Sequence, residues 1–373
     1  MQEQPQGELT LKASRYSLIR YIFAVVDTLY ALALLFIFLK SGLSKELARQ
    51  VYMSLLPAYL NMPVYFFWVF LGYSALTLPL VFLQSFYIEH KFGLSNQNLA
   101  AWLADQFKSA AISFVIALVM LSAFYLVLDI FPRHWWLAIS AIWIFFSLFL
   151  ARIMPVVIIP LFFKYKKLQD QDLRRRILSL ADKYNIKLLD VYEIDFSKKT
   201  LKANAAFVGF GSTRRVILAD TLKSKYSYDE IEVILAHEFA HYKLKHLWKL
   251  VLANSCASIG LFFLIFKTSA AVLGFFNISG LSNIAGLPAI FIYMILFGII
   301  TQPLENWLSR IMERSADKAA LANTGLKSAF ISMMEKLAGQ NLADPNPNWI
   351  IKVFFFNHPP VSERIEAAQK FSL

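Results

Sequence analysis

The chain has 373 residues, of which 58% are hydrophobic and 17% charged, with a net charge of +12 and a mean hydropathy of +0.52. A soluble globular domain carries about 45–50% apolar and ~25% charged residues, so this composition excludes an ordinary water-soluble domain and points to a bilayer. The basic balance does not point to nucleic acid, because the cations flank apolar runs. Lys12, Arg15 and Arg20 precede or enter the first run, Lys164, Lys166 and Lys167 follow the fourth, and Arg174, Arg175 and Arg176 come soon after.

Residues 1–16 are polar, and six apolar runs follow at 17–39, 63–87, 110–130, 135–163, 249–276 and 284–304. Each reaches the ~20 mostly apolar residues that a bilayer helix needs. The first is too long for a secretory h-region and lacks a small-residue cleavage site, so it reads as a retained anchor. Asp27 inside it is costly in lipid, which points to a cavity or a snorkelling side chain. In the connection 88–109, Ser95 is read as the N-cap of the helix that follows. The connection 131–134, with Pro132, is tight, and His90 and His134 stand at span ends, where an interfacial position explains them.

The segment 164–226 changes character. Helical spacing over 168–185 puts Leu173, Ile177, Leu180 and Ala181 on one face. Residues 190–194 alternate as a strand, and 205–210 with 215–218 flank Gly211-Ser212-Thr213 as a hairpin. Ser227-Tyr228-Asp229-Glu230 is a capping box, and the helix it starts is predicted to run on toward the fifth span. Pro345, Pro347, Pro359 and Pro360 mark turns near the end. The chain thus divides into 1–163 with four spans, a polar 164–248, 249–304 with two spans, and a polar 305–373. Both polar segments are rich in Lys and Arg while 277–283 has no charge, so both are predicted to be cytoplasmic. Lys40, Lys45 and Arg49 in the loop 40–62 run mildly against this. The single cysteine, Cys256, permits no internal disulfide and reads as a packed small residue.

The chemistry concentrates in His237-Glu238-Phe239-Ala240-His241. Residues four apart share a helix face, so two imidazoles can reach one ion. The glutamate is turned about 100° from the first histidine. It is placed beside a water held by that ion, where it can take a proton and pass it to a leaving amine. This is the pattern of a zinc-dependent peptidase; a pair of surface histidines on an amphipathic helix is the bland alternative. Such a site needs a third protein ligand and an open fourth position. His246 lies nine residues past His237, half a turn around a continuous helix, and is set aside. A carboxylate from another helix remains. Glu313 and Asp317 share a face after the sixth run: Glu313 can ligate, and Asp317 can orient a ligand histidine through its other ring nitrogen. A solvated face paired with Arg310 and Arg314 is the alternative, and Glu305 and Glu335 are lesser ligand candidates. His358, before Pro359 and Pro360, sits in restricted backbone. It can donate to an oxyanion or simply mark a turn into the last helix.

The ordered set of motifs resembles the type I CAAX prenyl proteases, integral-membrane zinc metallopeptidases. It comprises the histidine motif after four spans, two further spans, Glu313-x-x-Ala-Asp317 and His358-Pro359-Pro360. Phe92-Gly93-Leu94-Ser95-Asn96-Gln97, Asn204-Ala205-Ala206-Phe207, Arg215-Val216-Ile217-Leu218 and Asp220-Thr221-Leu222 carry the resemblance further. It implies one zinc ion on His237, His241 and Glu313, with Glu238 as general base and Asp317 behind the ligands. It also implies Asn204 near the substrate strand and His358 and Arg364 beside the centre. The expected fold is mainly α: a polytopic membrane helical barrel enclosing a chamber, with a gluzincin-like zinc helix and a small β hairpin or sheet in the cytoplasmic segment. The six runs here fall one short of the seven spans typical of that family, and the missing span lies before residue 63. The expected partners are the bilayer and peptide or protein substrates that are membrane-associated or prenylated. The expected setting is a bacterial inner membrane or, in a eukaryote, the endoplasmic reticulum. A membrane quality-control metalloprotease and a non-catalytic transporter or scaffold are the competing functions.

Overall fold

The computed structural model describes residues 6–209, 214–344 and 346–372. The predicted turns at Gly211-Ser212-Thr213 and at Pro345 lie outside the described residues. The chain begins with α1 (Gln6–Lys40), α2 (Leu43–Tyr52), α3 (Asn61–Phe82), a single-turn α4 (Ile88–Lys91), α5 (Leu99–Ile130) and α6 (Trp135–Ile153). Among the described residues six helical stretches are long and apolar enough to cross a membrane. They are Thr10–Lys40, Ala58–Lys91, Leu99–Ile130, Trp135–Leu161, His246–Phe275 and Ile284–Thr324, matching the six apolar runs with extended ends. Between the first two spans, α2 buries Ser44, Ala48 and Val51 and turns the paired Arg49 and Glu46 outward. Its ten residues cover only ~15 Å, too little to cross.

Two expectations are corrected here, for Ser95 and Cys256, and the open reading of Asp27 is narrowed. Ser95 does not cap α5: Asn98 does, its side chain accepting from the Ala101 amide. Ser95 instead bridges to Thr200 and donates its hydroxyl to the Lys199 carbonyl at 3.2 Å. Both residue types make good caps, and the tertiary pairing decides between them. Asp27 does not snorkel: the Gln84 amide donates to its two oxygens at 2.7 and 2.6 Å. Gln84 sits in a π turn, Leu83–Tyr87, that interrupts the second span. Cys256 is exposed rather than packed, because an apolar run carries no mark distinguishing its lipid-facing side.

After α6 come β1 (Tyr165–Lys167), α7 (Gln171–Lys183), β2 (Asp190–Ile194), β3 (Ala205–Val208), β4 (Arg215–Ala219), a single-turn α8 (Asp220–Lys223) and α9 (Tyr228–Lys243). The strands form one mixed sheet in the order β1-β2-β4-β3. β3 and β4 are the predicted hairpin, antiparallel with Ala205 opposite Leu218. β2 runs parallel to β4, and the unpredicted β1 runs antiparallel to β2. β3 is therefore an edge. Its Phe207 packs edge-on against Phe239 and Tyr242 of α9, with ring centroids 5.3 and 5.5 Å apart. The motif helix thus lies along the edge strand. Val191, Val216 and Leu218 of the sheet, Ile177 and Leu180 of α7, and Leu235, Ala236 and Phe239 of α9 share one core.

The motif helix does not run on into the fifth span. Lys245, with φ 56°, separates α9 from α10 (His246–Phe275). α11 (Leu287–Thr324) is the longest element, 38 residues or ~57 Å, and carries the sixth span past the apolar run to Glu313 and Asp317. α12 (Lys327–Asn341), α13 (Trp349–Phe355) and α14 (Val361–Lys370) complete the chain. Among the long helices, α1 packs on α11, α11 on α10, α10 on α6, α6 on α5 and α5 on α3.

Candidate metal centre

α9 starts on the predicted capping box, with both the Ser227 and the Glu230 bonds formed. Glu230 is further fixed by Ser332 and Lys336, each at 2.7 Å. Capped there and packed on the sheet, the helix presents His237 and His241 to α11, which lies alongside it. Glu313 comes across from α11. His237 Nε2 and His241 Nε2 are 3.0 Å apart, and each is 3.2 Å from a Glu313 oxygen. Four ligands at zinc bond lengths of ~2.0–2.1 Å in a tetrahedron stand about 3.3 Å from one another, so the triad is spaced for one such ion. Glu313 Oε2 is buried without a hydrogen-bond partner, a costly state that a cation relieves. These three residues form a group able to hold a metal ion, and their nitrogen and oxygen donors suit zinc.

A second layer fixes this group. Asp317 Oδ1 lies 2.8 Å from His237 Nδ1, within bonding reach but out of line with the ring N–H. Arg364 clamps Asp317 with two bonds, at 2.7 and 2.5 Å. His358 Nε2 is 3.4 Å from Glu313 Oε1, and its Nδ1 is 2.8 Å from Asn357 Oδ1. The loop bearing His358 is held from α11. Asn306 donates to the Val353 and Phe354 carbonyls, and Arg310 to those of Lys352 and Phe356. Arg310 and Arg314 are thus not the partners of Glu313 and Asp317; Arg314 pairs with Glu363. Asn204 is exposed just before β3, with its carbonyl accepting from the Ala219 amide. Glu305 accepts from the Thr301 hydroxyl at 2.8 Å in the middle of α11, more than two helical turns before Glu313.

Burial opposes charge on His237, yet the carboxylates of Asp317 and Glu313 close beside it outweigh that and push its pKa up to about 9. Glu238 is on the same helix turn. Burial pushes its carboxyl above the usual range, and the charges of His237 and His241 only partly offset this.

His246 is not among the grouped ligands, but a helix continuous from Ser227 predicts it on the far side from the centre, and the structure does not keep it there. The left-handed turn at Lys245 brings it back beside the centre, with Nδ1 3.0 Å from His241 Nδ1. Nothing in the sequence marks that turn, since it uses Lys where Gly or Asn is favoured. The Ser315 hydroxyl donates to the Met312 carbonyl at 2.7 Å, so it accepts from His246 Nε2 at 3.2 Å. A neutral His246 then accepts from His241 Nδ1–H, which leaves the lone pair of His241 Nε2 facing Glu313.

A helical membrane protein with a His-His-Glu centre on a helix bearing His-Glu-x-x-His is a zinc-dependent metallopeptidase. Residues 167–372 match the model of peptidase family M48. Residues 2–164 match that of the CAAX prenyl protease N-terminal region, described as five membrane helices. The chain belongs to peptidase family M48. In the N-terminal region it has four membrane-length helices and the short α2. An uncharacterized metalloprotease of Bacillus subtilis (strain 168), YhfN, is 30% identical over 96% of this chain and 85% of its own length. CAAX prenyl protease 1 of Saccharomyces cerevisiae is 29% identical over 98% and 87%. The crystal structure of S. mikatae Ste24p shares the fold, with a TM-score of 0.88 over 98% of this chain and 90% of that one, at 24% identity.

Proposed function

We propose that this protein is a membrane-embedded zinc endopeptidase that hydrolyses peptide bonds in membrane-associated or lipid-modified, CAAX-type substrates. One observation carries the reading: His237 and His241, on the helix that also bears Glu238, converge with Glu313 of α11 at 3.0–3.2 Å. Zinc, when bound, supplies a Lewis acid that polarises the scissile carbonyl and acidifies water. The protein's own groups do the rest. Glu238 takes the water's proton and returns it to the leaving amine; burial raises its pKa, which strengthens it as a base. Asp317, held by Arg364, and His246, held by Ser315, set the tautomers of the two ligand histidines. His358 sits where it can donate to the oxyanion. The free edge of β3, entered at Asn204, offers backbone groups to an extended substrate.

The neighbour order of the long helices supports a barrel around a water-filled chamber. Asp27–Gln84 and the Tyr30 hydroxyl on the Leu76 carbonyl at 3.1 Å join the first span to the second and complete that order. In this reading the division into 1–163, 164–248, 249–304 and 305–373 separates chamber wall from catalytic segments, and the Lys/Arg content of the polar segments supports a cytoplasmic centre. The names of the CAAX prenyl protease relatives support the substrate class. The test uses the purified protein in lipid vesicles and two peptides that differ only in a lipid group on one cysteine. The lipidated peptide is expected to be cleaved at least about tenfold more efficiently, since burying an acyl or prenyl chain stabilises by ~0.8 kcal/mol per CH₂. Equal cleavage of both would refute the substrate class.

A further inference from the structure

Beside the metal centre, α1 and the C-terminal segment enclose a cleft of about 330 Å³. Tyr16, Arg20 and Tyr21 of α1 form one wall; Phe356, His358 and Arg364 form another. Two of these residues belong to the centre itself: His358 lies 3.4 Å from Glu313, and Arg364 is bound to Asp317. The inner end of the cleft is therefore the catalytic site.

The charges in the cleft are unevenly spent. Arg364 is committed to Asp317. The acid of the cleft, Asp344, accepts from the Tyr21 hydroxyl at 3.3 Å and from the Asn346 amide at 3.1 Å. Among the described residues no carboxylate lies within ion-pair distance of Arg20, which is exposed. A free guanidinium among aromatic rings is suited to an anion with apolar flanks, and its planar fork matches a carboxylate.

The cleft also has a direction relative to the sheet. Asn341, in its lining, accepts from the Ala203 amide at 3.2 Å. The cleft thus abuts the N-terminal end of the free edge strand β3. A strand added antiparallel to β3, the more stable pairing, has its own C-terminal end at that point.

We infer that this cleft receives the departing C-terminal end of the substrate, with Arg20 pairing with its free α-carboxylate. The inference rests on the peptidase reading above and adds to it one specificity-determining residue, Arg20, as the group that reads the substrate's free carboxylate. Hydrolysis adds water's oxygen to the scissile carbonyl carbon and breaks the C–N bond. The proton goes to the leaving amine, and the released fragment keeps the original carboxylate at Arg20. The plain alternative is that Arg20 anchors α1 to lipid phosphates at the membrane surface.

The test compares peptides identical except for a terminal carboxylate or carboxamide, each made with and without the lipid group, using the full-length protein in vesicles. Wild type is expected to favour the carboxylate about tenfold or more in kcat/KM, the scale of one charge-assisted bond. Arg20→Ala is expected to erase that preference by slowing the carboxylate peptide alone, and Arg20→Lys to restore part of it. The same ratio is read as equilibrium binding to Glu238→Gln protein, so it is decided without turnover. Equal handling of carboxylate and amide by wild type overturns the inference. So does an Arg20→Ala variant, folded and zinc-replete, that weakens both peptides alike, which is the lipid-anchor result. Failure of the lipid comparison alone counts against the substrate class, not against Arg20.

Discussion

The two large hydrophobic regions of this molecule are built from similar residues and owe their order to different surroundings. Around the sheet and α9, apolar side chains vanish from the surface: Val191, Leu235, Ala236 and Phe239 are fully buried. In the spans the same residue types point outward, and in the window that marks the second span only 6% of the residues are buried within the protein. The sixth span, which continues into the centre, is the most enclosed at 39%. Hydropathy therefore reports packing in one region and lipid contact in the other. Precision of placement belongs to the first region and to the end of α11 that reaches it.

That contrast is broken or sharpened most strongly at Glu313. Glu313→Ala is expected to lower zinc affinity about 100-fold or more, because it removes a ligand, while Glu335→Ala and Glu305→Ala keep their zinc; equal occupancy in all three would contradict the ligand set. Packing comes next. Leu235→Ala is expected to cost about 2–5 kcal/mol in unfolding experiments. Ile300→Ala, 74% exposed within a span, should cost under about 1 kcal/mol. Comparable losses would erase the distinction between the two regions. His246→Ala is expected to weaken zinc binding about 10–100-fold in a chelator competition, although His246 never touches the ion. The smallest effect is on pH dependence. His237 must lose its proton to ligate, so zinc affinity should rise with pH up to about 9 and level off above it. Below that value one proton is released per zinc bound, which is about tenfold in affinity per pH unit. Titration calorimetry in buffers of different ionisation enthalpy reads that proton, and Asp317→Asn should move the plateau to lower pH.

The same contrast decides what was legible beforehand. Spans announce themselves, because twenty apolar residues in a row have few other uses. α9 was legible from Ser227 and Glu230, and the β3–β4 hairpin from its alternation. The partners of the centre were only half legible. Glu313 and Asp317 were found because four-residue spacing puts them on one face, but their distance from His237 is set by packing of α9 on α11. β1 is three residues, two of them lysines, paired only because β2 has an open side. The return of His246 depends on a left-handed lysine that no local preference favours. Asn306 and Arg310 matter through carbonyls 42–48 residues away, and backbone groups leave no mark in a sequence.

The central claim is that the His237–His241–Glu313 centre holds zinc and that Glu238 turns it into a peptidase. It is tested most directly by measuring zinc content and peptide cleavage together in the wild type and in Glu238→Gln. The account predicts one zinc per chain in both proteins, with turnover in the variant reduced about 10²–10⁴-fold. A wild type that holds no zinc and cleaves no peptide, or a Glu238→Gln variant that cleaves as fast as wild type, would contradict it.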